Sequence, residues 1–349
     1  MALEGVTSKS CASEGNFTVE LLEILQNAPK DSQMIADSIV ITHAKLKRYD
    51  KILCSISGGS DSDILIDLCE KFDESSKITY VFFDTGLEYR ATKEHLQYLE
   101  QKYGIHIEQI KAIKSIPFCC KTYGQPFLSK QVSEWIERLQ NHHFQWEDKP
   151  FGELYKEYPR CKAALRWWCN DFKKSGEGKE SSFNIAYNQY LKEFMVQNPP
   201  TFRISNKCCY YAKKMVASKF KTKGKFDLNM YGVRKAEGGA RRTAYKTCFS
   251  SNEDKCDEYR PIFWYLNETK RIYEEHYDVV HSRCYMEYGL KRTGCAGCPY
   301  GRNFEEELEI MQQHEPKLFK AVNFVFKDSY EYTRAYRKFV TEKKKLSKR

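Results

Sequence analysis

The chain has 349 residues, 41% of them hydrophobic, and 57 Lys and Arg against 47 Asp and Glu give it a formal net charge of +10. That length suits one large α/β domain with insertions or two domains, and no window holds the roughly eighteen consecutive apolar residues of a membrane span. Mean hydropathy is −0.67, and MALEGVTSKSCASEGNF lacks a basic region followed by an apolar core, so a soluble cytoplasmic protein with no membrane partner and an anionic ligand is expected.

Residues 1–17 read as disordered. Val19–Gln26 and Gln33–Arg48 carry helical periodicity and lead into a short apolar, β-branched run, Ile52–Ile56, which has the character of a buried parallel strand. The run breaks at Ser57-Gly58-Gly59-Ser60-Asp61-Ser62, after which Ile64, Leu65 and Leu68 recur at helical spacing. Strand, glycine-rich turn and helix N-terminus together make an anion site, because glycine lets backbone N–H groups approach a phosphate and the helix dipole favours negative charge. The Walker spacing and its lysine are missing.

Ile78–Phe83 is a second apolar strand, ending at Asp84-Thr85-Gly86; Arg90–Tyr103 is an amphipathic helix, and Ile105–Ile110 a third strand. Alternation at this spacing predicts an α/β fold with a doubly wound parallel sheet, whose ligands bind beyond the carboxyl ends of the strands. The pattern changes over 117–200, which is rich in aromatics and lysine and reads as a helical insertion. It resumes at Asn229–Val233, followed by Arg234-Lys235-Ala236-Glu237-Gly238-Gly239-Ala240-Arg241. Helices are expected near Lys270–Tyr277, Phe304–Gln313 and Glu331–Lys344. The predicted organisation is a helical lead-in (1–48), a nucleotide-binding core (49–116 and 201–250), the insertion (117–200) and a C-terminal cysteine-bearing helical region (251–349).

The chain has 14 cysteines, and without a secretory leader metal or redox work is the better expectation than disulfides. Cys208-Cys209 and the Cys295-Ala296-Gly297-Cys298 turn offer four thiolates, which suit zinc, an iron–sulfur cluster or buried free thiols. Cys119, Cys120, Cys161 and Cys169 suit a sulfur relay, a second metal site or structural burial. Cys248, Cys256 and Cys284 have no assigned role, and His142-His143 reads as a surface pair.

The loop SGGSDS resembles the pyrophosphate (PP) loop of the ATP pyrophosphatases and of the adenylyl-sulfate and phosphoadenylyl-sulfate (PAPS) reductases. VFFDTGLEYRAT resembles that superfamily's second-strand DTG motif, and GVRKAEGGARR its GxRxxESxxR motif. KCC with GCAGCP resembles the cluster cysteines of the iron–sulfur adenylyl-sulfate reductases, and the YRPIFWYLNETKRIYEEHYDVVHSRCYMEYGLKRTGCAGCPYG run is similar to their P-I-x-x-W, helix, Y-x-x-G-x-x-R, GCxxCP pattern. On these motifs the chain is identified as a member of the PAPS reductase-like superfamily, with the adenine nucleotide alpha-hydrolase-like fold.

The resemblance implies roles. Ser57, Gly58, Gly59, Ser60, Asp61 and Ser62 would hold phosphate groups, and Asp84 and Gly86 would lie beside the adenosine or a magnesium-bound phosphate. Arg234 and Arg241 would neutralise phosphate or sulfate, with Glu237 orienting one of them; Asp61, Arg234 and Arg241 are the catalytic candidates. Cys208, Cys209, Cys295 and Cys298 would ligate a four-iron four-sulfur cluster.

Two departures bear on activity. The thiol-bearing C-terminal segment of the assimilatory reductases has no counterpart after Cys298, and the loop keeps the full form that goes with ATP cleavage. The combination resembles DNA phosphorothioation and tRNA thiolation enzymes. It implies an ATP-adenylating enzyme of sulfur transfer with a nucleic-acid acceptor (DNA or tRNA) and a cysteine desulfurase or other sulfur donor. Alternatives are a reductase of PAPS or adenylyl sulfate (APS), and a non-catalytic nucleotide-binding module.

Overall fold

The computed structural model describes residues 19–30, 32–72, 77–173, 180–238, 244–251 and 256–347. Residues 1–17, most of the SGEGKESS stretch and Arg241 lie outside them. The chain divides into two compact units. Unit 1 comprises 1–83, 90–110 and 217–294; unit 2 comprises 84–89, 111–216 and 295–349.

Unit 1 is built on a six-stranded sheet of β1 (Ile52–Ile56), β2 (Ile78–Asp84), β3 (Ile107–Lys111), β4 (Leu228–Tyr231), β5 (Phe249–Ser250) and β6 (Asp257–Tyr259), in the order β3-β2-β1-β4-β6-β5. β1 pairs parallel with β2 (Ile56↔Phe82) and with β4 (Ser55↔Tyr231), β4 pairs parallel with β6, and β5 pairs antiparallel with β6. The mixed α/β class with a mostly parallel sheet is as expected. β1 alternates across the sheet. Ile52, Cys54 and Ile56 join the larger core with Leu21 of α1 (Val19–Gln26), Ile35 and Ile39 of α2 (Gln33–Arg48), Ile64, Leu65 and Leu68 of α3 (Ser60–Glu70), and Leu96 and Leu99 of α4 (Arg90–Tyr103). Leu53 turns to the other face, with Val81 and Phe226.

Unit 2 is helical. The insertion folds as α5 (Ile116–Tyr123) and the helices Lys130–Asn141, Phe151–Glu157, Lys162–Trp168 and Leu191–Gln197. Its aromatic richness is its core: Trp167 and Trp168 are fully buried, Trp135 stacks on Trp167 with centroids 5.4 Å apart, and Trp168 Nε1 donates to the Glu147 carbonyl at 2.9 Å. The last helix, Lys327–Leu346, sets Tyr332, Tyr336 and Phe339 against Phe194 at 5.0, 5.4 and 5.5 Å. It is therefore a packed element with a basic last turn. Among the described residues no helix is long and apolar enough to cross a membrane.

Candidate functional site

The two groups of predicted site residues fall in different units. In unit 1 the chain leaves β1 at Ser57, whose N–H donates to Ser62 Oγ at 2.9 Å while the two hydroxyls stand 3.0 Å apart. These bonds close the loop on itself. Gly58 adopts φ +66°, and a Cβ there would lie 2.6 Å from Thr92 Cγ2, so conformation and space both demand glycine. Gly59, in extended backbone, caps α3. A Cβ on Gly59 would meet Thr293 Oγ1 and Tyr285 Oη, each at 3.1 Å.

Asp61, in the first turn of α3, receives Arg234 Nε at 2.9 Å and Lys270 Nζ at 3.0 Å. Lys270 also donates to Ser60 Oγ. β4 lies beside β1, and a Cβ on Gly232 just beyond it would come within 2.7 Å of the Asp61 carbonyl, so a small residue lets the two segments close up. Arg234, 7% exposed, gives Nη1 to Asn267 Oδ1 at 2.9 Å, while its backbone N–H donates to Glu237 Oε1 at 3.1 Å. Glu237 thus fixes the turn that carries Arg234. Burial works to raise the Asp61 pKa, but Lys270 and Arg234 outweigh it and hold the carboxyl below its ordinary value.

A second chain of charge runs on from Lys270. Lys270 reaches Glu274 at 3.4 Å, Glu274 accepts from His281 Nε2 at 2.8 Å, and His281 Nδ1 meets the fully buried Asp63 at 2.7 Å, whose other oxygen holds His95 at 2.9 Å. Burial would lower the His281 pKa, but its bonds to Asp63 and Glu274 bring it up to about 9. Arg234 and Asp61 were anticipated from sequence; Lys270, Asn267, Glu274 and His281 were not.

Unit 2 holds the remaining candidates. Asp84 Oδ1 accepts from the Gly86 N–H at 2.9 Å, and Glu88 accepts from Thr85 N and Oγ1 at 3.0 and 2.9 Å, which folds the DTG segment into a tight turn. Thr85 Oγ1 also contacts Cys295 Sγ at 3.7 Å. The CxxC turn is clamped: Ala296 N–H donates to the Leu87 carbonyl at 2.9 Å, Gly297 N–H to Glu307 Oε1 at 3.2 Å, and Tyr330 Oη to the Gly297 carbonyl.

Cys208 and Cys209 occupy the short helix Lys207–Cys209, which continues through a π-turn, Tyr210–Lys214. The Cys208 thiol hydrogen-bonds those of Cys120 and Cys209. Cys298 feels Cys295 and Cys209 as neighbouring charges, and burial first, then those thiols, push it up to about 12. The Cys120 bond and burial likewise raise Cys208, against a lowering by the Cys209 bond, while Lys213, open to solvent, bonds the Cys295 thiol. Cys209, Cys295 and Cys298 are only half-buried, so the four motif thiols are gathered but not sealed. In kind this donor set fits an iron–sulfur cluster, although among the described residues no three His, Cys, Asp or Glu side chains stand in a metal-ligand array. Cys119 donates to the Lys114 carbonyl at 3.6 Å, Cys161 to Arg138 O at 3.7 Å and Cys169 to Lys149 O at 3.8 Å.

Residues 51–132 match the family described as Phosphoadenosine phosphosulfate reductase domain, which bears out the resemblance read from the loop and DTG motifs. The match stops short of Arg234 and of all four motif cysteines. No curated protein matches the chain. Among solved structures it is similar to the PAPS reductase from Candida auris in a phosphate complex, at 10% identity over 76% of this chain and 95% of that one, with a TM-score of 0.40. It is also similar to the NH3-dependent NAD synthetase from Campylobacter jejuni, at 10% identity over 88% and 97%, with a TM-score of 0.37. A third is the U34-tRNA thiolase from Methanococcus maripaludis with its [4Fe-4S] cluster, at 11% identity over 86% and 80%, with a TM-score of 0.35.

Proposed function

We propose that the chain binds ATP at Ser57–Ser62 and adenylates an acceptor that then takes up sulfur. The observation that carries this reading is Asp61 at the head of α3, fixed between Arg234 and Lys270 at 2.9 and 3.0 Å beside a closed serine–glycine loop. Two serine hydroxyls and two cations are held at the loop that heads α3, and their positions are set before a polyphosphate would arrive there.

An acceptor oxygen attacks the α-phosphorus, the bond from that phosphorus to the oxygen bridging to the β-phosphate breaks, and pyrophosphate leaves. A sulfur nucleophile then displaces AMP, a far better leaving group than hydroxide. Lys270 and Arg234 take up the charge that grows on the departing oxygens, and Arg241, in the same loop by sequence, is assigned a like role. Asp84 would offer a carboxylate to magnesium, and Gly86 is assigned to the same turn. Cys208, Cys209, Cys295 and Cys298 would hold a four-iron four-sulfur cluster, which when bound would brace the segments that carry the two cysteine pairs. A nucleic acid would be the acceptor, and a desulfurase-type persulfide protein the sulfur source.

The second reading, a reductase of PAPS or APS, is favoured by the family match over residues 51–132. The test is pyrophosphate release from ATP and magnesium by anaerobically purified protein, alongside sulfite release from PAPS with thioredoxin. Asp61→Ala should take pyrophosphate release to background while circular dichroism stays unchanged. Sulfite without pyrophosphate would replace this reading with the reductase.

A further inference from the structure

The buried tryptophans belong to the helical core of unit 2, and a cluster of exposed and half-buried rings stands on the elements that carry the cysteine pairs. On α5, Cys119 and Cys120 are buried while Phe118 is 49% exposed; directly after Cys208-Cys209, Tyr210 is 45% exposed. Tyr123 and Tyr211 stack with centroids 5.2 Å apart at an interplanar angle of 22°, and Tyr210 meets Tyr211 edge-on at 5.1 Å. The Lys114 ammonium lies 5.7, 5.0 and 4.6 Å from the centroids of Phe118, Tyr123 and Tyr211. All belong to unit 2. Tyr210 and Tyr211 open the π-turn, a widened turn that changes the angular relation of the rings to the residues beyond it and that recurs at functional sites.

Charge selects the occupant. No Asp or Glu lies between Glu108 and Glu134, where Lys111, Lys114, Lys121 and Lys130 stand, and none lies between Glu193 and Asp227, where Arg203, Lys207, Lys213 and Lys214 stand. Lys121 and Lys214 are exposed. Exposed and half-buried rings around an ammonium, with no acidic neighbour in sequence, suit a ligand that combines π-faces with phosphates.

We propose that Lys114, Phe118, Tyr123, Tyr210 and Tyr211 form a platform on which an unstacked base of a single-stranded nucleic acid lies, with Lys121 and Lys214 on its backbone. As the acceptor surface of the proposed sulfur-transfer enzyme it rests on that reading, whereas the binding itself is measured without ATP. The base would be held beside Cys120, Cys208 and Cys209.

The measurement is fluorescence anisotropy of labelled single-stranded RNA and DNA of about 16 nucleotides, titrated with full-length protein at fixed salt. Base stacking on an aromatic side chain is lost on alanine substitution at a cost of about tenfold in affinity, so Phe118→Ala and Tyr211→Ala should each weaken binding about tenfold. Neither should weaken binding to an abasic strand of equal charge, and Lys214→Gln should weaken both strands alike. Unchanged affinity in both aromatic variants, preference for a duplex of the same length, or no binding by the wild type would overturn the platform. Thermal denaturation of each variant shows whether it is folded. Loss of stacking in a protein that releases no pyrophosphate would leave the platform standing and remove the adenylation reading.

Discussion

Lys270 shows how much a single side chain can settle that the sequence leaves open. On an amphipathic helix a lysine most often faces water, and nothing in NETKRIY marks one of its two cations as turned inward. The structure gives Lys270 three oxygen partners, Ser60, Asp61 and Glu274, which makes it the joint between the loop and the histidine pair. Arg234 was legible because it sits in a recognisable motif; Lys270 was not, because its partner lies across the fold. Removing its charge leaves Asp61 with Arg234 alone and takes one preset cation from the leaving group. Lost donors of this kind cost roughly 100-fold in turnover. Lys270→Met should therefore lower the rate of pyrophosphate release by about that factor with little change in the ATP concentration needed for half-maximal rate. A loss confined to ATP affinity would make Lys270 a binding group only.

At the scale of elements, β1, β2 and α4 could be read directly because burial imposes its period on them. α4 runs over Arg90–Tyr103 as expected. β5 and β6 were missed: they are two and three residues long and read FS and DEY, too short and too polar for a periodic signal. The cysteine turn was legible as GCAGCP, but what holds it was not. Gly297 has φ +60°, and a Cβ there would stand 2.6 Å from Tyr330 Oη and 3.1 Å from Val322 Cβ. Both strain and crowding oppose a side chain, at about 1–3 kcal/mol for the backbone conformation alone. Gly297→Ala should lower the melting temperature by several degrees and, in anaerobically purified protein, reduce bound iron and the brown absorbance near that of a Cys295→Ser control. Full iron retention in both variants would take the CxxC turn out of the proposed cluster site.

For the whole molecule, the network from Arg234 through Asp61, Lys270, Glu274 and His281 to Asp63 and His95 ties together α3, α4, the turn after β4 and the helix Asn267–His276. Within it His281 is faced by Asp63, Glu274 and the ring of Tyr285, whose centroid lies 5.8 Å away. Its folded pKa of about 9 lies above the ordinary histidine value of 6.5. A raised pKa means that the folded state holds the proton more tightly, so the stabilisation is complete below about pH 6.5 and is lost as pH climbs through 9. Two carboxylates then face a neutral ring. Allowing for screening of a side chain that water partly reaches, the loss is on the order of 1–2 kcal/mol, or a few degrees of melting temperature. His281→Gln, which keeps a donor but no charge, should be less stable than wild type at pH 6. The two proteins should converge by pH 9.5, with the difference closing across that interval. A gap that stays constant with pH would mean that His281 acts by packing and hydrogen bonding alone, and that the charge chain beneath the loop ends at Glu274.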